Sequence, residues 1–304
     1  MTEEMPLSAN TTPPALPICD YEGSTYRTDF WEGRGREYED GAERIALRRL
    51  LPPTGRRLLD VGAGFGRLAP LYAGYDEVIL LDYSRSQLEY ARQRLGDGRF
   101  IYVAADLYRL PLASDAVDTT VMVRVLHHLA DVPLALGQIH RVLAAQGTFI
   151  LEFANKRHAK NILRYLLRRG MNPFDPLPYE FAPLHYDFHP RWVRQQLGAA
   201  GFKVEQRLAV SFFRAALCKR LVPTKLLIAA DGALQRVSAP LALSPSIFLR
   251  SRAQKAAERP PAERNRLFRC PTCGAEPLEQ GEQALHCPNC AARWPIEGGI
   301  YIFK

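Results

Sequence analysis

The sequence predicts an α/β fold: a seven-stranded, mostly parallel sheet with helices on both faces, followed by a small cysteine-stapled C-terminal unit. Three observations carry this expectation. Strand-like apolar runs alternate with helical segments from about residue 40 to 150. The stretch Leu58-Leu59-Asp60-Val61-Gly62-Ala63-Gly64-Phe65-Gly66-Arg67 ends a strand in a turn with glycines at spacing two, where backbone approaches a ligand closely. Cys270 and Cys273, then Cys287 and Cys290, form two Cys-x-x-Cys pairs thirteen residues apart, which reads as a zinc site and not as a disulfide framework.

The elements follow in order. Residues 1–22 begin Pro/Ser/Thr-rich, without the basic and apolar regions of a secretion signal, so a disordered tail and a cytoplasmic protein are expected. A helix is predicted over Asp40–Leu51, ended by Pro52-Pro53, with Tyr26, Phe30 and Trp31 upstream. Strands are predicted at Arg57–Val61, Glu77–Asp82, Arg99–Ala104, Val117–Val125 and Gly147–Phe153. Helices are predicted near Gly66–Tyr72, Ser84–Leu95 (Ser84 as N-cap) and Leu134–Leu143. The alternation then breaks over an insertion at about 155–190: a basic helix, Arg157–Arg169, and a loop carrying Pro173, Pro176, Pro178 and Pro183. Pro190 opens a helix at Arg191–Ala200 that stops at Gly201. A strand Phe202–Phe213, an apolar helical stretch Leu217–Leu243 broken at Pro223 and Pro240, and an antiparallel strand Ser246–Arg252 complete a first domain spanning 23–252. A charged linker, 253–266, leads to the cysteine unit at 267–304.

With 304 residues, 47% hydrophobic and 24% charged, the composition is that of an ordinary globular chain. It has no apolar run of about eighteen residues, so no transmembrane segment is expected. The net charge of +8 is concentrated in two stretches, Lys156–Arg169 and Arg250–Arg269. Solvated helix faces and a solubilising linker explain such clusters; the other explanation is an anionic partner, RNA or a lipid surface.

Asp82, ending the next strand in Val78-Ile79-Leu80-Leu81-Asp82, is placed to accept hydrogen bonds from ribose hydroxyls. The third glycine of a dinucleotide fingerprint is missing, since Arg67, Leu68 and Ala69 follow Gly66. The pattern resembles the fingerprint of class I S-adenosylmethionine-dependent methyltransferases, Rossmann-like enzymes, and Met122-Val123-Arg124-Val125-Leu126-His127-His128-Leu129 resembles the type-11 family motif after the fourth strand. The resemblance implies that Asp60, Gly62 and Gly64 hold the amino-acid end of S-adenosyl-L-methionine. It further implies that Asp106 and the Leu107 backbone recognise adenine and that the Arg124 backbone touches the methionine part. His127, His128, His185, Tyr186 and His189 are candidates for a proton-transfer role, needed only if the acceptor is a protonated hydroxyl or amine. The aromatics of the proline-rich loop (Phe174, Tyr179, Phe181, Tyr186, Phe188) are expected to line an apolar acceptor pocket.

The C-terminal unit, through Phe268–Gly274, Leu285–Cys290 and Trp294–Ile302, resembles the zinc-ribbon proteins that activate tRNA, rRNA and release-factor methyltransferases. Trp294, Glu297, Gly298 and Tyr301 depart from the usual tail of those proteins. Four thiolates would make a closed structural Zn2+ site that holds the ribbon together. A chelator is expected to unfold the ribbon and leave the larger domain folded.

The function expected is methyl transfer to a small-molecule, lipid or quinone-like acceptor, because no N-P-P-Y-like tetrapeptide follows the fourth strand. An RNA (tRNA) methyltransferase with the ribbon as cis activator is one alternative, and a non-catalytic cofactor-binding scaffold the other. DNA is not expected as a partner, and peripheral contact with anionic surfaces remains open.

Overall fold

The computed structural model describes residues 16–25, 27–31, 35–256 and 263–304. Tyr26, the Phe30 side chain and the middle of the charged linker lie outside the described residues.

Strands β1 (Gly55–Val61), β2 (Tyr75–Asp82), β3 (Phe100–Ala105), β4 (Val117–Met122) and β5 (Leu143–Ala154) pair in parallel in the spatial order β3-β2-β1-β4-β5. Two further strands, β8 (Phe202–Val210) and β9 (Ser246–Ala253), complete the predicted seven, with β9 inserted antiparallel between β5 and β8. Strand order reverses between β1 and β4, and a crevice opens there at the carboxyl ends of the strands. The parallel strands are apolar on both faces because helices cover both: Leu58, Leu59 and Val61 of β1 are all buried.

Local chemistry explains the helices. Helix α1 (Glu37–Leu50) buries Tyr38, Ala42, Ala46, Leu47 and Leu50 along one face and stops ahead of Pro52-Pro53. Helix α2 (Arg85–Leu95) is capped by Ser84, whose hydroxyl accepts the Gln87 N–H at 3.3 Å. Helix α3 (Val132–Val142) is capped by Asp131, which accepts the Leu134 N–H at 2.9 Å. The predicted helix at 66–72 is only a short 3-10 turn, Ala69–Tyr72, because Gly66 sits at φ 71° and Pro70 donates no hydrogen bond.

The insertion holds α4 (Ala159–Leu166) and, where a loop was expected, a small hairpin of β6 (Tyr179–Ala182) and β7 (His185–Asp187). Lys156 is not a surface cation: it is buried, and its ammonium donates to the carbonyls of Asp175 (3.0 Å) and Leu177 (2.7 Å), fixing the loop. After α5 (Pro190–Ala199) and β8, Pro223 divides the apolar stretch into α6 (Ala216–Leu221) and α7 (Thr224–Val237).

The ribbon consists of β10 (Glu279–Gln280), β11 (Ala284–His286), β12 (Arg293–Glu297) and β13 (Ile300–Phe303). It is not a separate body. β13 pairs in parallel with β3, Ile300 opposite Tyr102 and Phe303 opposite Ala105, so the sheet runs on to eleven strands. Phe268 stacks 4.5 Å from Tyr301 and 5.4 Å from Phe303, and Leu267, Phe268, Leu285 and Phe303 share one apolar core with Leu59 and Met122. The ribbon thereby covers the open backbone edge of β3. This corrects the expectation for chelation: loss of the ribbon exposes part of the common core, so the whole chain should lose stability. Phe268→Ala should destabilise the whole chain by about 3–5 kcal/mol, read from denaturant midpoints. A chelator should lower the melting temperature of the complete molecule, and an unchanged main transition would contradict the shared core.

Candidate active site and metal centre

The crevice between β1 and β4 is an open cleft with about 1110 Å³ of empty volume. Its floor is the glycine turn. Gly62, Gly64 and Gly66 all sit at positive φ (69°, 51° and 71°), and a Cβ on Gly62 would lie 2.2 Å from Val125 Cγ2. Glycine is therefore required at 62 by both conformation and space.

Three acids from three strand ends reach this cleft. Asp60 is buried, and its carboxylate accepts the Tyr72 hydroxyl at 2.9 Å. Burial pushes its pKa up to about 7, against the Tyr72 hydrogen bond and the Arg67 charge, and neighbouring Asp82 adds to the rise. Asp82 accepts the Gly64 N–H at 2.7 Å and the Ser84 N–H at 2.9 Å, tying the turn to the start of α2. Its pKa is also raised, by burial first, with these two hydrogen bonds opposing. Asp106 accepts the Tyr108 N–H at 2.8 Å as the cap of a short 3-10 turn, and both it and Leu107 line the cleft.

Arg124, at φ 61°, lines the cleft. Its N–H is spent on buried Glu152 at 2.9 Å, and its guanidinium pairs with Glu43. Glu43 is buried between Arg124 and Arg67. Burial alone would raise its carboxyl, yet the two guanidiniums, Arg124 foremost, hold it below the usual range. The Trp31 ring lies under both cations, 3.9 Å from Arg67 and 4.9 Å from Arg124, and forms a wall of the cleft. Glu39 and Glu43 on the buried face of α1, among Ala42, Ala46 and Leu47, were the sequence signal for this ion-pair cluster.

Residues 16–22, assigned to the tail from sequence, border the mouth of the cleft as a strap. Pro17, Ile18, Cys19 and Tyr21 line it. The Glu22 carboxylate accepts the Arg85 N–H (2.6 Å) and Ser86 N–H (3.1 Å) at the start of α2 and meets the Lys304 ammonium at 3.3 Å. Lys304 also donates to the Tyr83 carbonyl at 2.8 Å, so the strap and the C-terminal residue converge beside Asp82.

Three of the candidate histidines cluster. The His128 ring is centred 4.0 Å from His127 and 4.7 Å from His185. His128 Nδ1 faces the Leu184 carbonyl at 3.0 Å and must donate, which leaves Nε2 to accept the Tyr21 hydroxyl at 3.3 Å. Among the three, His128 lines the cleft. His127 is held neutral, chiefly by burial, with the neighbouring His128 and Arg124 charges acting in the same direction. Tyr186 stacks on Phe188, and His189 caps α5 by accepting the Arg191 N–H at 3.1 Å; neither lines the cleft. The loop aromatics do not line it either. Phe174, Tyr179 and Phe181 are exposed and Phe188 is in the core. Tyr179 and Phe181 instead border a second cavity of about 740 Å³, with Asn161, Arg164, Met171 and Asp187.

The four cysteines converge. All four Sγ atoms lie within 4.8 Å of one another, with Cys270–Cys290 at 3.7 Å and Cys273–Cys287 at 3.4 Å. A tetrahedron of zinc–sulfur bonds about 2.3 Å long has edges of about 3.8 Å, so the set fits the ion. Two equivalent turns present the thiols: Gly274 N–H donates to the Cys270 carbonyl (2.9 Å) and Ala291 N–H to the Cys287 carbonyl (3.1 Å). His286 is exposed and is not part of the cluster.

Residues 59–151 match the family model described as a methyltransferase domain. The chain is 30% identical over 148 residues to the demethylmenaquinone methyltransferase of Chlamydia pneumoniae, covering 47% of this chain and 64% of that one. It is 31% identical over 147 residues to the O-methyltransferase cnsE of Penicillium expansum, covering 44% and 52%. The chain thus spans between about half and two thirds of the length of these two curated relatives. Among solved structures, it is similar to the putative methyltransferase complexed with the Trm112 methyltransferase activator of Haloferax volcanii (17% identity, TM-score 0.53, 76% of this chain and 98% of that one). The fold is the Rossmann-like α/β fold of S-adenosylmethionine-dependent methyltransferases, with a four-cysteine cluster at its C-terminus.

Asp60 makes stability depend on pH. A carboxyl raised to about 7 in the folded chain binds more protons than the unfolded one, so its contribution is fully present below the ordinary aspartate pKa and is lost as pH rises towards 7. Urea midpoints of the ligand-free protein should fall over that interval, and Asp60→Asn should flatten the slope. Parallel slopes in the two proteins would show that Asp60 titrates normally.

Proposed function

We propose that this chain binds S-adenosylmethionine in the cleft and transfers its methyl group to a small apolar or lipid-like acceptor bearing an anionic group. The observation that carries the cofactor reading is the trio Asp60, Asp82 and Asp106, delivered by three adjacent strand ends around a left-handed glycine turn. Asp82 keeps lone pairs for ribose hydroxyls beyond its two backbone partners. Asp60 and the Gly62–Gly64 backbone are assigned to the charged amino-acid end, and Asp106 with Leu107 to adenine. When bound, the cofactor supplies an electrophilic methyl on a sulfonium. The chain's own work is to orient the acceptor and exclude water, since alignment supplies much of the rate of an in-line displacement. His128 Nε2 accepts the Tyr21 hydroxyl at the cleft wall, so it takes a proton from a hydroxyl acceptor only where that acceptor displaces Tyr21.

Arg214 supports the anionic acceptor. It follows β8 at the same carboxyl edge, on a loop fixed by Phe212 N–H to Asp231 (2.9 Å) and Phe213 N–H to the Tyr38 hydroxyl (2.8 Å). Its Nε is enclosed without a hydrogen-bond partner, and it lies within the field of Arg124 on the first cavity and Asp187 on the second. Glu43, Glu152 and Glu39 already act on its charge, so what is unmet is the Nε–H itself, which an acceptor oxygen of a ligand would satisfy. The second basic stretch weighs against an RNA acceptor, since Arg250 and Arg252 pair with Glu205, Lys255 with Asp115 and Arg264 with Glu77. The ribbon is assigned a cis-acting stabilising role on the β3 edge, beside the strand end that carries Asp106.

Calorimetric titration of the intact protein with S-adenosylmethionine should show one site, and Asp82→Asn should weaken it by about 1.5–3 kcal/mol. A folded protein that takes up no cofactor sinks the reading. With S-adenosylhomocysteine bound, benzoate should bind about tenfold more weakly to Arg214→Gln than to the native chain, while neutral benzamide should not distinguish them. Equal benzoate affinity in both would remove Arg214 from the acceptor site.

A further inference from the structure

Helix α4 buries none of its residues, and neither does α6. Leu163, Leu166 and Leu167 on and just after α4 are 59%, 69% and 60% exposed, and Leu217 and Leu221 of α6 are 66% and 70% exposed. The proline-rich loop adds exposed Phe174, Leu177 and Phe181. Single exposed leucines are ordinary, but this many on neighbouring elements form a patch that a soluble surface does not need. Helix α4 meets the loop, Tyr165 packing against Phe174 at 5.9 Å, and His158 at the start of α4 lies within electrostatic range of Arg214, two residues before α6.

The charge around the patch has one sign. No acid occurs from residue 157 to 174 or from 206 to 230. Lys160, Arg164, Arg168 and Arg169 are exposed beside the α4 leucines, and Arg220 and Lys225 beside those of α6. Of three acids nearby, Asp175 faces Lys156 at 3.7 Å, Glu180 accepts the Leu184 N–H at 3.0 Å, and Asp187, half-buried, borders the second cavity within the fields of Arg214 and Lys156. The second cavity opens in this surface, since Asn161 and Arg164 of α4 and Tyr179 and Phe181 of the hairpin form its rim.

We propose that the α4–hairpin–α6 face docks on an anionic phospholipid surface, with the leucines and phenylalanines entering the headgroup–acyl boundary and the surrounding lysines and arginines on the phosphates. Short amphipathic helices with leucine on one side and long cations on the other suit that boundary. The same cations would serve RNA equally, but the leucines would then have no use. Docking stands by itself; that an acceptor passes from the bilayer into the second cavity rests on the methyl-transfer reading.

The test is co-sedimentation of the complete, metal-replete protein with phosphatidylcholine vesicles, with and without about 30% phosphatidylglycerol. The native protein should partition at least about tenfold more strongly onto the anionic vesicles, and less strongly as salt rises. Leu163→Ser/Leu166→Ser/Leu167→Ser should lose that binding about tenfold while keeping native S-adenosylhomocysteine affinity and melting temperature, since none of the three is buried. Native-like vesicle binding by the triple variant, or no binding to any vesicle, overturns the proposal. So does sedimentation equilibrium showing a dimer that the triple variant abolishes, or tRNA binding of the native protein with no vesicle binding. Retained cofactor affinity with lost vesicle binding separates failure of docking from failure of the methyl-transfer reading.

Discussion

The rest of the site depends on placing two carboxylates, Asp60 and Asp82, close together at the end of neighbouring strands. Each is shifted upward, burial being the main cause, and Asp82 adds to the rise at Asp60. The Tyr72 hydroxyl and the Gly64 and Ser84 N–H groups offset this only in part. Nearby cations, Arg67 at Asp60 and Lys304 at Asp82, also offset it only in part. A ligand with a cationic end and neighbouring hydroxyls would satisfy both acids at once. The glycine turn between the two strands has its own demand, since Gly62, Gly64 and Gly66 hold positive φ and a Cβ on Gly62 would strike Val125.

The strap and the C-terminal ribbon reinforce this floor. The ribbon adds a strand to β3, whose carboxyl end carries Asp106, and its last residue reaches the strap through Glu22. Glu22 in turn sits where the first N–H groups of α2 are without intrahelical partners, a favourable place for a carboxylate. Folding of the metal unit and closure of the strap are therefore linked through Lys304 and the β3 edge. On the opposite side, Arg214 follows β8, and the insertion carries the second cavity and exposed leucines.

Much of this was legible in the sequence where the signal is local. The five parallel strands show as apolar runs because both their faces are buried, and helix ends are marked by the Ser84 hydroxyl and by Gly201 at positive φ. The glycine turn and the cysteine pairs are spacing signals, and the structure gathers both as the spacing implied. What was not legible is pairing between distant segments. Glu22 meets Arg85, 63 positions away, and Glu43 meets Arg124, 81 positions away, and no local pattern names either partner. The union of β13 with β3 is of the same kind, since a short strand in a ribbon gives no sign of its far neighbour. Proline in the insertion suggested loop, yet β6 and β7 pair between Pro178 and Pro190, where the backbone N–H groups are free to do so.

The most direct measurement is the pKa of Asp60 itself, followed by carbon-13 NMR of labelled aspartate carboxyls with and without S-adenosylmethionine. The carboxyl should titrate near 7 in the ligand-free protein and fall below about 5 once a cationic group is held beside it. An Asp60 that titrates near 4 in the free protein, or one that the cofactor leaves unmoved, would contradict this account of the cleft.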